Sequence, residues 1–170
     1  MKHQGFNPSL FTIEKRELNL SNEALVQIMQ AVLLKGMPFR FQAKGISMAP
    51  FIKDKDIVTI SSIKNDKPRF GDVTAFIRPE SGKLILHRII GARENAFLIA
   101  GDNEPDTNEQ IPKKMVLGKL TKLERDGKRI YLGLGYERFI IALLSRTRLL
   151  SYFVFPIWRR IGTIMRRPTR

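Results

Sequence analysis

Cysteine is absent from this chain, which removes disulfides, thiolate zinc sites and thiol nucleophiles at once. Histidine is nearly absent: only His3 and His87 occur, so a histidine-rich metal cluster is excluded too. Acid is missing from the last fifth, where residues 138–170 carry eight Arg and no Lys, Asp or Glu. A long apolar run is lacking there as well. The longest uncharged stretch of this tail is the ten residues 149–158, interrupted by Pro156, whereas a spanning helix needs about 20. Residues 1–18 hold no apolar core segment and include Glu14 and Glu17, so no export signal is expected. These absences leave a basic chain whose chemistry would use hydroxyls, carboxylates, amines or a single imidazole.

What is present suffices for one domain with a real core: 170 residues, 43% of them hydrophobic. The net charge is +14, and the tail supplies more than half of it. Its arginines alternate with large apolar residues, a pattern suited to an anionic surface, either lipid headgroups or nucleic acid. The expectation is a tail lying in the membrane interface, with Phe139, Leu143, Leu150, Phe153 and Trp158 inserted and the arginines at headgroup level. A C-terminal helix packed on the domain, or a dimer contact, is the plainer alternative.

The apolar spacing changes along the chain. Ser21 is placed to cap a helix, Glu23 sits in its first turn, and Leu25, Ile28, Val32 and Leu33 recur at helical spacing up to Gly36. After Gly36 the period becomes two, as Phe39, Phe41 and Ala43 alternate with Arg40 and Gln42. Further short strands are expected at 57–63, 73–77, 84–90, 97–100, 115–123 and 129–132. Turn clusters such as Asn65-Asp66-Lys67-Pro68, Pro79-Glu80-Ser81-Gly82 and Asp126-Gly127 separate them. The predicted fold is mainly β and barrel-like. It divides into a lead-in and helix over 1–36, a β domain over 37–133 and a basic amphipathic tail over 134–170.

Three places within the β domain carry chemistry. Gly45-Ile46-Ser47-Met48-Ala49-Pro50 follows the first strand, and a serine in such a turn can meet an oxyanion with nearby backbone N–H groups, though it commonly serves only the turn. His87 shares one strand face with Ile85 and Ile89, while Arg88 takes the other. A half-buried imidazole suits proton transfer from a serine, although a lone core histidine is more often simply satisfied by a carbonyl. Gly101-Asp102-Asn103 offers a carboxylate that could orient that imidazole or merely shape a turn.

Together these segments stand in a run of six ordered blocks that resembles the signal peptidase I family, related to the self-cleaving SOS-repressor peptidases. The blocks are Gly45-Ile46-Ser47-Met48-Ala49-Pro50, Asp54-Lys55-Asp56-Ile57-Val58 and Phe70-Gly71-Asp72-Val73. They continue with Leu86-His87-Arg88-Ile89-Ile90-Gly91, Gly101-Asp102-Asn103 and Val116-Leu117-Gly118-Lys119. The resemblance covers roughly half the chain. It implies a serine endopeptidase in which Ser47 is the nucleophile and its own N–H the oxyanion donor. His87 then stands where most bacterial members carry Lys, as in the endoplasmic-reticulum and archaeal types. Asp102 is the expected third residue, with Asp106 in reserve. Gly45, Met48 and Pro50 complete the nucleophile loop, and no metal or cofactor is implied. The implied substrate is a signal or leader peptide cut after small residues and bound by strand addition.

Family members are usually anchored by an N-terminal transmembrane helix, which residues 1–36 do not offer. The expectation is therefore peripheral membrane association through the tail, at the cytoplasmic face unless the chain is exported. Nucleic acid is not an expected partner, because the β region interleaves few basic and aromatic residues. A self-cleaving regulator, and a degenerate peptidase fold that only binds, are the remaining alternatives.

Overall fold

Ser21 opens the first helix as its position predicts, accepting a hydrogen bond from the Ala24 N–H at 3.3 Å. This helix, α1, spans Asn22–Leu34. It closes with Gly36 N–H to the Leu33 carbonyl and Met37 N–H to the Val32 carbonyl, the two bonds of a Schellman ending. The buried stripe is Val26, Met29 and Leu33, rotated from the expected one, so Ile28 is exposed. Met29 and Leu33, four residues apart, meet Val58, Ile60 and Leu120 of the sheet. That contact decides which face turns inward.

The structure is a computed structural model that describes residues 21–64, 66–104, 108–147 and 149. Eight strands follow α1: β1 (Phe39–Gln42), β2 (Ile57–Ser62), β3 (Val73–Ile77), β4 (Leu84–Ala92), β5 (Ala96–Ala100), β6 (Glu109–Pro112), β7 (Val116–Arg125) and β8 (Lys128–Ile130). All pairings are antiparallel, in the order β1-β2-β7-β3-β4-β5-β6, with β8 on β7. The expected strands are present, and β6 is an addition. The barrel is corrected to an open sheet, because among the described residues β1 and β6 are its unpaired ends. Each has only four residues and Pro112 ends β6, so neither offers the other a ladder long enough to close.

One face of the sheet gathers Val58, Ile60, Val73, Ala75 and Leu123 against α1. A second cluster joins Phe76, Ile89, Phe97, Ile99 and Ile111. Burying each such side chain contributes about 1.5–3 kcal/mol. The first part of the tail forms α2 (Glu137–Arg146), which packs on β4. Ala142 meets Ile90 and Ala100, and Ile141 meets Phe51. Phe139, Ile140 and Leu143 point outward and are exposed. Leu150, Phe153 and Trp158, expected at a membrane surface, lie outside the described residues, as does Asp106. Among the described residues, no helix is long and apolar enough to cross a membrane.

Candidate active site

The loop after β1 is held from three sides. Gly45 adopts φ 97°, a backbone conformation that a side chain would strain, and its N–H donates to Asp54 Oδ1 at 3.0 Å. Met48 is buried in the main core and anchors the loop from below. Downstream, Arg125 forms a two-pronged bond with the buried Asp56, at 2.8 and 2.7 Å, and also donates to the Phe51 carbonyl. Ser47 is left half-buried at the top of this braced turn. Among the described residues its N–H donates to no protein acceptor.

From the other side comes the turn after β5, whose three residues divide the work. The Asn103 N–H donates to the Ser47 carbonyl at 2.7 Å, and Asn103 Nδ2 donates to the Ile46 carbonyl at 3.2 Å. Asp102 turns the opposite way, where both carboxylate oxygens engage the buried Arg88 at 2.9 and 2.8 Å and Ser145 Oγ of α2 donates at 3.1 Å. Arg88 Nη1 also donates to the Gly71 and Gly133 carbonyls. Gly101 makes room. A Cβ there would lie 2.9 Å from the Ser47 carbonyl oxygen and 3.1 Å from His87 Nε2, so the Ser47 loop and the imidazole both close on this one glycine.

His87 reaches that point from β4 and is buried, with its side chain 2% exposed. Its cross-strand partner is Thr74, and Phe76 lies edge-on to its ring at 6.0 Å. Burial pushes the imidazole below its ordinary pKa, since the charged form loses its water. Glu104 and Glu109 pull it back up, Arg78 pushes it down, and Asp102 raises it slightly. Glu104 Oε2 stands 3.7 Å from Nε2 and Glu109 Oε1 stands 4.0 Å from Nδ1. No hydrogen bond joins Ser47 to His87 among the described residues, and His87 Nδ1 has no partner.

The structure thus brings Ser47, His87 and Gly101 together. It sends the carboxylate of Asp102 to Arg88 rather than to the imidazole. Sequence reasoning missed Glu104, Glu109, Arg78 and Ser145. The only available signal for Glu109 was that β6 exists, and its polar start does not alternate like a strand.

Beside Ser47 lies a cleft of about 370 Å³, lined by Phe41, Met48, Ile52, Leu84 and Leu86 among others. Two strand edges border it. Among the described residues the outer edge of β1 has no strand partner, and residues 84–87 of β4 ladder with β3 alone, because β5 begins pairing at Arg88, although the Leu84 N–H already donates to Asn22 Oδ1 at 2.9 Å. No cluster of His, Asp and Glu among the described residues has the arrangement to hold a metal ion. No family model and no curated protein matches this chain.

Proposed function

We propose that this chain is a serine endopeptidase of the signal-peptidase type, cutting a signal or leader peptide after small residues. The observation that carries the reading is the convergence on Gly101 of the Ser47 loop and His87 Nε2, at 2.9 and 3.1 Å from one point. A half-buried serine whose loop meets a buried imidazole at one glycine supplies the residue types that acyl transfer needs. The order of the six sequence blocks supports the same reading.

In this mechanism Ser47 Oγ attacks the scissile carbonyl while its proton passes to His87 Nε2. The Ser47 N–H meets the developing oxyanion. The imidazolium then gives its proton to the leaving amine, and water repeats the cycle on the ester. The peptide adds as a strand to the edges of β1 and β4, with its side chains in the cleft. Gly45 has no side chain, so no hydroxyl reaches the oxyanion from two residues before the serine.

Peripheral attachment to an anionic membrane completes the proposal. Phe139, Ile140 and Leu143 form an exposed apolar strip on α2, and the sequence from Arg138 onward carries eight Arg and no acid. A second reading, a peptidase fold that binds without cutting, draws on the missing Ser47–His87 hydrogen bond.

The deciding experiment is cleavage of a peptide library with Ala at and near the cut, with and without anionic vesicles. Wild type is compared with Ser47→Ala and His87→Ala. Loss of cutting in both variants supports the dyad, and stimulation by vesicles supports the tail's role. Equal activity in all three overturns the mechanism. Binding without cutting in all three selects the second reading.

A further inference from the structure

We propose that Glu109, clamped by Arg78, is the carboxylate that orients His87 through Nδ1, in the place the sequence assigned to Asp102. This rests on the Ser47–His87 chemistry proposed above, but its decisive readout does not.

Among the described residues His87 Nδ1 is buried without a hydrogen-bond partner, and so is the hydroxyl of Thr74, which faces His87 across the β3–β4 ladder. A buried polar atom left unmade costs about 1–3 kcal/mol, so two side by side on an otherwise apolar face need an explanation. Nε2 is already committed in direction, because it is the nitrogen that closes on Gly101 and the Ser47 loop. A base that takes the serine proton at Nε2 must carry its own proton at Nδ1, and that N–H needs an acceptor.

Glu109 is the only described carboxylate within 4.0 Å of Nδ1. It sits beside Ile99 on the ladder, and Ile99 in turn pairs with Ile89, which shares the His87 face of β4. Arg78 holds both of its oxygens, with Nε on Oε2 at 2.8 Å and Nη2 on Oε1 at 2.5 Å. That two-pronged grip fixes the carboxylate plane. The other acids have different posts. Asp102 is occupied by Arg88 and Ser145, and Glu104 approaches Nε2, the nitrogen on the serine side.

The proton count is simple. The resting imidazole carries its proton on Nδ1, directed at Glu109, and Nε2 is bare. The Ser47 proton moves to Nε2, the imidazolium is balanced by the Glu109 carboxylate, and the Nε2 proton leaves with the amine. Glu109 stays ionised throughout. The present 4.0 Å tightens when the site is charged, since an imidazolium draws the carboxylate in. Four charged groups act on the ring: Glu104, Glu109, Arg78 and Asp102.

The test is imidazole ¹⁵N NMR of the full chain, with His3→Gln used to assign the two histidines. In wild type, above the His87 titration, the Nδ1–H tautomer is expected. Glu109→Ala is expected to lose that preference and to lower kcat/KM by about 10²–10⁴-fold, the scale of a mis-set tautomer. Glu104→Ala is expected to keep the tautomer. If Glu109→Ala does not fold, Glu109→Gln replaces it, with a His87 titration moved to lower pH as the expected result. An Nε2–H tautomer in wild type overturns the proposal, and so does an unchanged tautomer in Glu109→Ala or an unmoved titration in Glu109→Gln. A chain that cuts no peptide but shows the Glu109-dependent tautomer would sink the peptidase reading and leave this pairing standing.

Discussion

His87 and Arg88 are adjacent on β4, both buried, and they point to opposite faces of the sheet. Their surroundings differ in kind. Arg88 donates to Asp102 twice and to two backbone carbonyls, and the Asp102 carboxylate takes a further bond from Ser145. Across the sheet, His87 Nδ1 and Thr74 Oγ1 have no hydrogen-bond partner among the described residues. A network with its bonds made fixes a position, whereas an unfinished one is a place where a proton can still move. In the mechanism proposed above, one face of β4 is assigned to structure and the other to chemistry.

The sharpest way to break that assignment is to exchange each residue in turn. His87→Gln is expected to reduce peptide cleavage by about 10⁴-fold while costing about 1–3 kcal/mol of unfolding free energy, since its amide is buried there. Arg88→Met should weigh chiefly on stability, with cleavage falling only as the Asp102–Asn103 turn shifts. It leaves the Asp102 carboxylate buried with Ser145 alone, and removing one member of a buried pair costs about 3–5 kcal/mol. Urea unfolding of both variants, with cleavage rates beside it, measures the contrast. A large stability loss in His87→Gln, or a small one in Arg88→Met, would erase the distinction.

The sequence made much of this legible, but not evenly. Alternation in 84–90 put His87 and Arg88 on opposite faces, and the strands with strong apolar spacing were all visible. Ser21 and Gly36 marked the ends of α1. Two things were hidden for physical reasons. The polar residues Asn108, Glu109 and Gln110 carry no β pattern, because β6 is an edge strand whose order comes from pairing with β5, so Glu109 could not be placed. In Gly101-Asp102-Asn103 the chain neighbours were visible but their directions were not. The carboxylate goes to Arg88 and the amide goes to the serine loop. Barrel closure failed for a similar reason, since strand pattern does not say whether the first and last strands meet.

A smaller effect separates the two faces by pH. His87 has its folded pKa lowered below 6.5, chiefly by burial, so the unfolded chain binds a proton at higher pH than the folded one does. Its contribution to stability is therefore complete above about pH 6.5 and is lost as pH falls from there through the folded pKa. Wild type should weaken over that window relative to His87→Gln, which has no imidazole to charge. Urea midpoints of the two proteins between pH 8 and pH 5 read the difference. Parallel curves would mean that the imidazole titrates alike in both states, and its face of β4 would then be no more costly to charge than solvent.

The smallest expected effect tests whether α2 belongs to the structural face. Ser145 is its one polar contact with the buried pair, donating to Asp102 Oδ1 at 3.1 Å. Asp102 keeps Arg88 when Ser145→Ala removes the hydroxyl, so no charge is orphaned and the loss should be about 1–2 kcal/mol. The same change reaches the other face by a short covalent path, since Asp102 precedes Asn103, which holds the Ser47 carbonyl. Cleavage should accordingly fall a few-fold, with KM little moved, because the turn shifts while the cleft does not. Ser145→Thr, which keeps a hydroxyl, should restore part of the rate. If Ser145→Ala costs stability and leaves kcat unchanged, the faces are independent and the C-terminal helix is only a lid on the core. If both fall together and Ser145→Thr recovers both, the fully bonded face is what holds the reactive one in register.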